Sequence, residues 1–193
     1  MEEVQVAISK KSRYAAAYCG DQCAYWQNGQ KTFLCIADGL GHGRNAQIAA
    51  YTAIEFIGEH LHKPLTNLFA DCNEILRHTH GVVMAVAIID EKTGVLTYAG
   101  IGNIRAMVAG TQVIRLSNRY GIIGAGYKTL STESVKLTPG DLVILTTDGI
   151  REMLEISNYK TTLLQNIDNL ADTIIKEWSN PQDDAAVMIY QRR

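Results

Sequence analysis

The chain has 193 residues, enough for one domain (1–193) whose apolar core needs no covalent staple. Its 18 basic residues nearly cancel its 20 acidic ones and no basic cluster stands out, which argues against a nucleic-acid partner. The Met1-Glu2-Glu3 start has no basic or apolar leader and no apolar run approaches the roughly 20 residues of a membrane span, so a cytoplasmic protein without membrane contact, acting as a monomer, is expected.

Val4 to Ile8 alternates apolar and polar residues, and Thr32 to Ala37 is a short apolar run ending in Asp-Gly; both read as strands. From Asn45 the apolar residues Ile48, Tyr51, Ile54 and Ile57 recur at every third position, predicting a helix. A second helix follows Pro64, carried by Leu65, Leu68, Phe69, Cys72, Ile75 and Leu76. Val82 to Ile89, Val95 to Ala99, Ile104 to Ala109 and Gln112 to Leu116 stand at hairpin spacing and predict an antiparallel meander. The glycine-rich stretch Asn118 to Gly126 reads as a flap or a surface loop. Ser134 to Leu137 and Leu142 to Thr147, joined by Pro139-Gly140-Asp141, predict a further hairpin. A last helix, Thr161 to Trp178, precedes a last strand, Ala185 to Tyr190. Strands grouped in the middle with helices in two sets favour an α+β layered sandwich over alternating βαβ units.

The four cysteines, Cys19, Cys23, Cys35 and Cys72, lack the paired spacing of a zinc site and read as reduced, small apolar side chains. Four acidic residues, by contrast, recur at the edges of apolar runs: Asp21, Asp38, Asp148 and Asp183. A carboxylate at a buried strand end is costly unless hydrogen-bonded, paired or bound to a cation, so four of them suggest a shared cation site. Oxygen donors without Cys or His favour Mn²⁺ or Mg²⁺ over zinc. Gly39 and Gly149, after Asp38 and Asp148, would let the backbone turn sharply there, and the Gly39 carbonyl is a further candidate ligand. Such a site activates water as the nucleophile, which points to a metal-assisted hydrolase, with phosphate esters as one substrate class.

The ordered set Cys19-Gly20-Asp21, Ala37-Asp38-Gly39-Leu40-Gly41-His42-Gly43, Gly102-Asn103-Ile104-Arg105, Thr147-Asp148-Gly149 and Asp183-Asp184 resembles the bacterial PP2C-type (PPM) serine/threonine phosphatases, across nearly the whole chain. Within them it looks most like the stressosome feedback phosphatases. The resemblance implies an α-β-β-α sandwich, two central antiparallel sheets flanked by helices, with two metal ions at one edge. Asp38 would bridge the ions and Gly39 would offer its carbonyl. Asp148 and Asp183 would hold one ion, and Asp21 would support the other; catalysis would rest on Asp38, Asp148 and Asp183. Glu152 falls where some relatives hold a third, weaker ion, though it also reads as a solvated residue at a helix start. The implied substrates are phosphoserine or phosphothreonine on STAS-domain stressosome proteins, in bacterial stress signalling.

The chain departs from the wider family at several points. Leu40 stands where animal relatives have a histidine, so His42 is left either to take a proton-donating role or to cap the next helix. Gly81 to Ala85 lacks the threonine of many relatives, and Arg13 is a weak stand-in for their phosphate-binding arginine. Arg105 reads as structural or as orienting the sheet edge, and His60, His62, His78 and His80 as residues at helix ends. Two other readings stay open: a phosphatase-like binder without turnover, and the same activity on a phosphorylated anti-sigma-factor antagonist.

Overall fold

The computed structural model describes residues 4–159 and 164–193. Two five-stranded antiparallel sheets form its centre. The first holds β1 (Gln5–Lys11), β12 (Ala185–Gln191), β11 (Leu142–Thr146), β6 (Arg105–Ala109) and β7 (Val113–Leu116), in that spatial order. The second runs β10 (Glu133–Lys136), β5 (Val95–Ile101), β4 (Val82–Asp90), β3 (Lys31–Gly39) and β2 (Asp21–Asn28). Two short strands, β8 (Gly121–Ile122) and β9 (Gly126–Tyr127), make a separate hairpin.

β3, β4 and β12 are apolar on both faces because both faces are covered. Alternate side chains of β3 face opposite ways. Leu34 and Ile36 enter the layer between the sheets, where they meet Val143, Leu145 and Met188. Cys35 and Ala37 point outward, beneath α1 (Gly43–Glu59) and α2 (Leu65–Ile75). On the other outer face α3 (Ile167–Trp178) lays Leu170, Ala171 and Ile174 on Ile144, Val187 and Ile189. This is the expected α-β-β-α sandwich. At the end of the layers away from β3's Asp-Gly, Glu91 accepts from Thr32, Tyr190 and Arg192, linking the β4–β5 turn to β12 across the two sheets.

Several local expectations are corrected. The meander breaks after β5, since β5 and β6 lie in different sheets and Gly102-Asn103-Ile104 carries the chain across. Glu133–Lys136 and Leu142–Thr146 likewise belong to opposite sheets, so they form no hairpin. β2 escapes a search for apolar runs because it is a mixed-polarity edge strand. The buried face of α1 is set by Ala46, Ala49, Ala50 and Ala53 with Ile54 and Ile57, whereas Ile48 and Tyr51 are exposed. Small side chains let the helix lie close on the sheet, where its Gly58 passes the Trp26 indole so tightly that a Cβ would clash. The last helix starts at Ile167, with the Asn166 side chain accepting from Asn169 N at 3.0 Å; the predicted positions 161–163 lie outside the described residues. Among the described residues no helix is long and apolar enough to cross a membrane.

Candidate active site

The sandwich gathers loops of both sheets at one edge. Asp38, near the end of β3, and Asp21, at the start of β2, are direct cross-strand partners. Asp148 follows β11, and Asp183 precedes β12, so these two come from the first sheet. Asp38, Asp148 and Asp183 line one cleft of about 510 Å³, together with Asn103 from the crossover. Asp21 does not line it; it is only 2 % exposed and lies behind Asp38.

Neutral side-chain donors hold two of these carboxylates in place. The Thr147 hydroxyl donates to Asp21 Oδ2 at 2.6 Å, and Ala186 N donates to that same hydroxyl oxygen at 2.9 Å. Asn103 Nδ2 donates to Asp148 Oδ2 at 2.7 Å. Asp184, buried beside Asp183, faces away from the cleft and accepts from Arg13 N at 2.8 Å and Gly20 N at 2.6 Å. It therefore pins the segment leading into Asp21, in which Tyr14 and Ala15 hold the left-handed φ values of 46° and 53°. Arg105 donates to the carbonyls of Thr147 and Ile150, bracing the Asp148-Gly149 loop from below.

Both glycines of the Asp-Gly pairs are needed for close approach and not for an unusual turn, since neither has a positive φ. A Cβ on Gly39 would fall on the Ala46 carbonyl of α1, and one on Gly149 on the Asp184 carbonyl. Glu152 sits exposed in a turn instead of at a helix start. His42 occupies the N-cap position of α1 without a side-chain cap bond and stays outside the cleft lining. Arg13 lies outside that lining too, with its guanidinium 5.6 Å from the Tyr14 ring. Asn118 to Gly126 is an anchored loop: Ile123 is fully buried, and Asn118 accepts from the Tyr98 hydroxyl at 2.6 Å while donating to the Gly102 and Ile104 carbonyls. Of the four histidines at predicted helix ends, His60 meets a helix carbonyl, with Nδ1 2.8 Å from Phe56 O.

The electrostatics follow from this crowding. Burial, then the charges of Asp148 and Asp183, pushes Asp38 up to about 7 from its ordinary 3.8. Burial and the Asp38 charge raise Asp21 well above the carboxylate range, against the Thr147 hydrogen bond. Among the described residues no three Asp, Glu, His or Cys side chains close into a finished ligand cluster. The donor chemistry nevertheless fits a hard divalent cation: among the described residues the ionisable groups lining the cleft are carboxylates and one tyrosine, and burial with the charge of Asp148 raises the proton affinity of Asp38 and Asp183.

The raised Asp38 has a consequence for stability. A carboxyl with its folded pKa above the unfolded one binds a proton on folding, so its contribution is favourable at low pH and is lost as pH rises from about 4 through about 7. In chelator, Asp38→Asn is therefore expected to melt higher than wild type at pH 8, with the gap shrinking toward pH 5. Thermal melts across that range check this, and a gap that is constant or widens toward acid contradicts it.

A sequence model of the family Stage II sporulation protein E (SpoIIE) matches residues 28–193. The chain belongs to the SpoIIE family. A relative of this SpoIIE-family chain, "Phosphoserine phosphatase RsbX" of Bacillus subtilis (strain 168), is 19% identical over 193 residues, covering 98% of this chain and 96% of its own. A solved RsbX in complex with magnesium has a TM-score of 0.87 at 17% identity, covering 100% of this chain and 97% of that one. A solved chain from work on the bacterial stressosome as a modular system adapted to control secondary messenger signalling has a TM-score of 0.90 at 30% identity, over 98% of this chain and all of that one. The PP2C phosphatase domain of SpoIIE from Bacillus subtilis, with a fragment of its regulatory domain, gives 0.82 at 21% identity, over 98% of this chain and 63% of that one. The fold of this SpoIIE-family chain is thus that of the PP2C-type phosphatases.

Sequence reasoning picked out Asp21, Asp38, Asp148 and Asp183 but gave no role to Thr147 or Asn103, which hold two of them. Both stand within the motifs Gly102-Asn103-Ile104-Arg105 and Thr147-Asp148-Gly149, but nothing local marks them as partners of Asp148 and Asp21.

Proposed function

We propose that the chain is a metal-dependent phosphoserine/phosphothreonine protein phosphatase, acting on phosphorylated STAS-domain proteins of a stressosome in the cytoplasm. The observation that carries the reading is that Asp38 from one sheet and Asp148 and Asp183 from the other line a single open cleft. Its support in sequence is the kinship with RsbX, a phosphoserine phosphatase, and with a stressosome chain.

In this reading Asp38 would bridge two divalent cations, Mn²⁺ or Mg²⁺, with the Gly39 carbonyl, Asp148, Asp183 and, from behind, Asp21 completing the donor set. The bound cations would supply charge neutralisation at the phosphoryl group and would acidify water for attack. The chain's own residues do the positioning. Asn103 holds Asp148, Thr147 holds Asp21, and Arg105 braces the loop that carries Thr147 and Asp148. Among the described lining residues there is no Ser, Thr, Cys or His, and the aspartates that could otherwise act as nucleophiles are the groups this reading gives to the cations, which leaves attack to water.

Hydrolysis of p-nitrophenyl phosphate should appear with Mn²⁺ and vanish in excess chelator, and a phosphorylated STAS-domain protein incubated with the enzyme should lose one phosphate by mass. Absence of metal-dependent turnover on either would leave the non-hydrolysing binder. Dephosphorylation of other phosphoproteins but no STAS protein would reject the stressosome substrate and keep the phosphatase.

A further inference from the structure

We propose that the cleft selects phosphoproteins carrying a large apolar side chain, not an acidic one, next to the phosphorylated residue, and that Tyr120 reads that side chain. The inference rests on the phosphatase reading and concerns the half of the cleft that reading leaves unused. Besides the three carboxylates the cleft is lined by Leu40, Val83, Ile122 and Tyr120, and Val83 is the direct cross-strand partner of Asp38. Tyr120 is 97 % exposed, the most exposed of the large apolar residues among those described.

Its backbone is nevertheless held on both sides. Arg119 N donates to Gly100 O at 2.9 Å, and Gly102 N donates to Arg119 O at 2.8 Å. Three residues on, Ile123 and Val82 exchange backbone bonds at 2.8 and 2.9 Å. The Arg119 side chain is itself engaged, its Nε donating to Ser131 Oγ at 2.8 Å. A solvent-facing aromatic on a fixed backbone has few rotamers to lose on contact, which makes it an efficient recognition group.

The chemistry of the partner follows from what the lining lacks. Among the described residues lining the cleft there is no Lys, Arg or His. An acidic side chain pressed against Leu40, Ile122 and Tyr120 would give up water with no basic side chain to meet it, the cations being taken up by the carboxylates and the phosphoryl group, whereas an apolar one gains by burial. Residues adjacent in a substrate chain stand about 3.8 Å apart at Cα, so a neighbour of a phosphoserine held at the carboxylates comes against the apolar residues that line the same cleft beside them.

Two phosphoserine hexapeptides, one with Leu and one with Asp on both sides of the phosphoserine, are assayed with Mn²⁺ against wild type, Tyr120→Ala and Tyr120→Phe. Wild type is expected to favour the Leu peptide about tenfold in kcat/KM, mostly through KM, an effect typical of one apolar contact. The preference should fall to within about twofold in Tyr120→Ala and persist in Tyr120→Phe, where the ring remains. Equal use of the two peptides by wild type, or an undiminished preference in Tyr120→Ala, overturns the proposal. Turnover of p-nitrophenyl phosphate without either peptide overturns it while sparing the phosphatase reading; no turnover of any substrate removes both.

Discussion

Replacing Asp38 by Asn should lower kcat on p-nitrophenyl phosphate and on phosphoprotein by roughly a thousandfold, with the fold intact. The size follows from the several kcal/mol of transition-state charge stabilisation attributed to a cation pair, at about 1.4 kcal/mol per tenfold. Asp38 is buried and feels the charges of both Asp148 and Asp183 from the opposite sheet. Asn keeps the shape and the β3 backbone pairing but removes the charge that would hold the cations. Circular dichroism separates this from unfolding, and saturating Mn²⁺ separates lost turnover from weakened binding. A variant within about threefold of wild type would remove Asp38 from the centre of the chemistry.

Gly149→Ala should be the most damaging single methyl group in the chain. The added Cβ would land on the Asp184 carbonyl, with Ala185 Cα at 3.0 Å, and neither can retreat. Asn180 N already donates to Gly149 O at 2.8 Å, and Thr147 N to Ala186 O at 3.1 Å, so the loop and the start of β12 are fastened to each other. Overpacking of this kind costs about 3 kcal/mol, a fall in Tm of roughly 6 to 12 °C for a chain of this size. Turnover should fall with it, because Asp148 and Asp183 flank the contact. A Tm within about 2 °C of wild type would show that this junction is looser than the packing implies.

Much of this was legible in the sequence, for physical reasons that also mark the limits. β3, β4 and β12 announce themselves because double-sided burial demands unbroken apolar runs, and Asp38 and Asp148 because a charge followed by glycine at the end of such a run needs a reason. β2 stayed hidden because an edge strand buries only part of its surface, and Asp21 was found through its Cys-Gly-Asp setting without its strand. The periodicity of Ile48 and Tyr51 pointed α1 the wrong way, since burial went to the alanines that fit a close helix–sheet contact. Hairpin spacing misled at Gly102-Asn103 and at Pro139-Gly140-Asp141: a short connection fixes that two strands are neighbours in sequence, not that they share a sheet. Tertiary partners such as Asn103 for Asp148 and Asp184 for Gly20 lie 45 and 164 residues apart, beyond any local pattern.

Because the chain steps from one layer to the other between β5 and β6, Asp38 travels with one slab of the sandwich while Asp148 and Asp183 travel with its opposite. The spacing of the acids is therefore fixed by slab-on-slab alignment, which the side chains packed between β3 and β11 and the Glu91 tie at the far end both hold. A cavity opened in that seam, remote from every acid, would let the slabs slide and detune the site while each strand stayed folded.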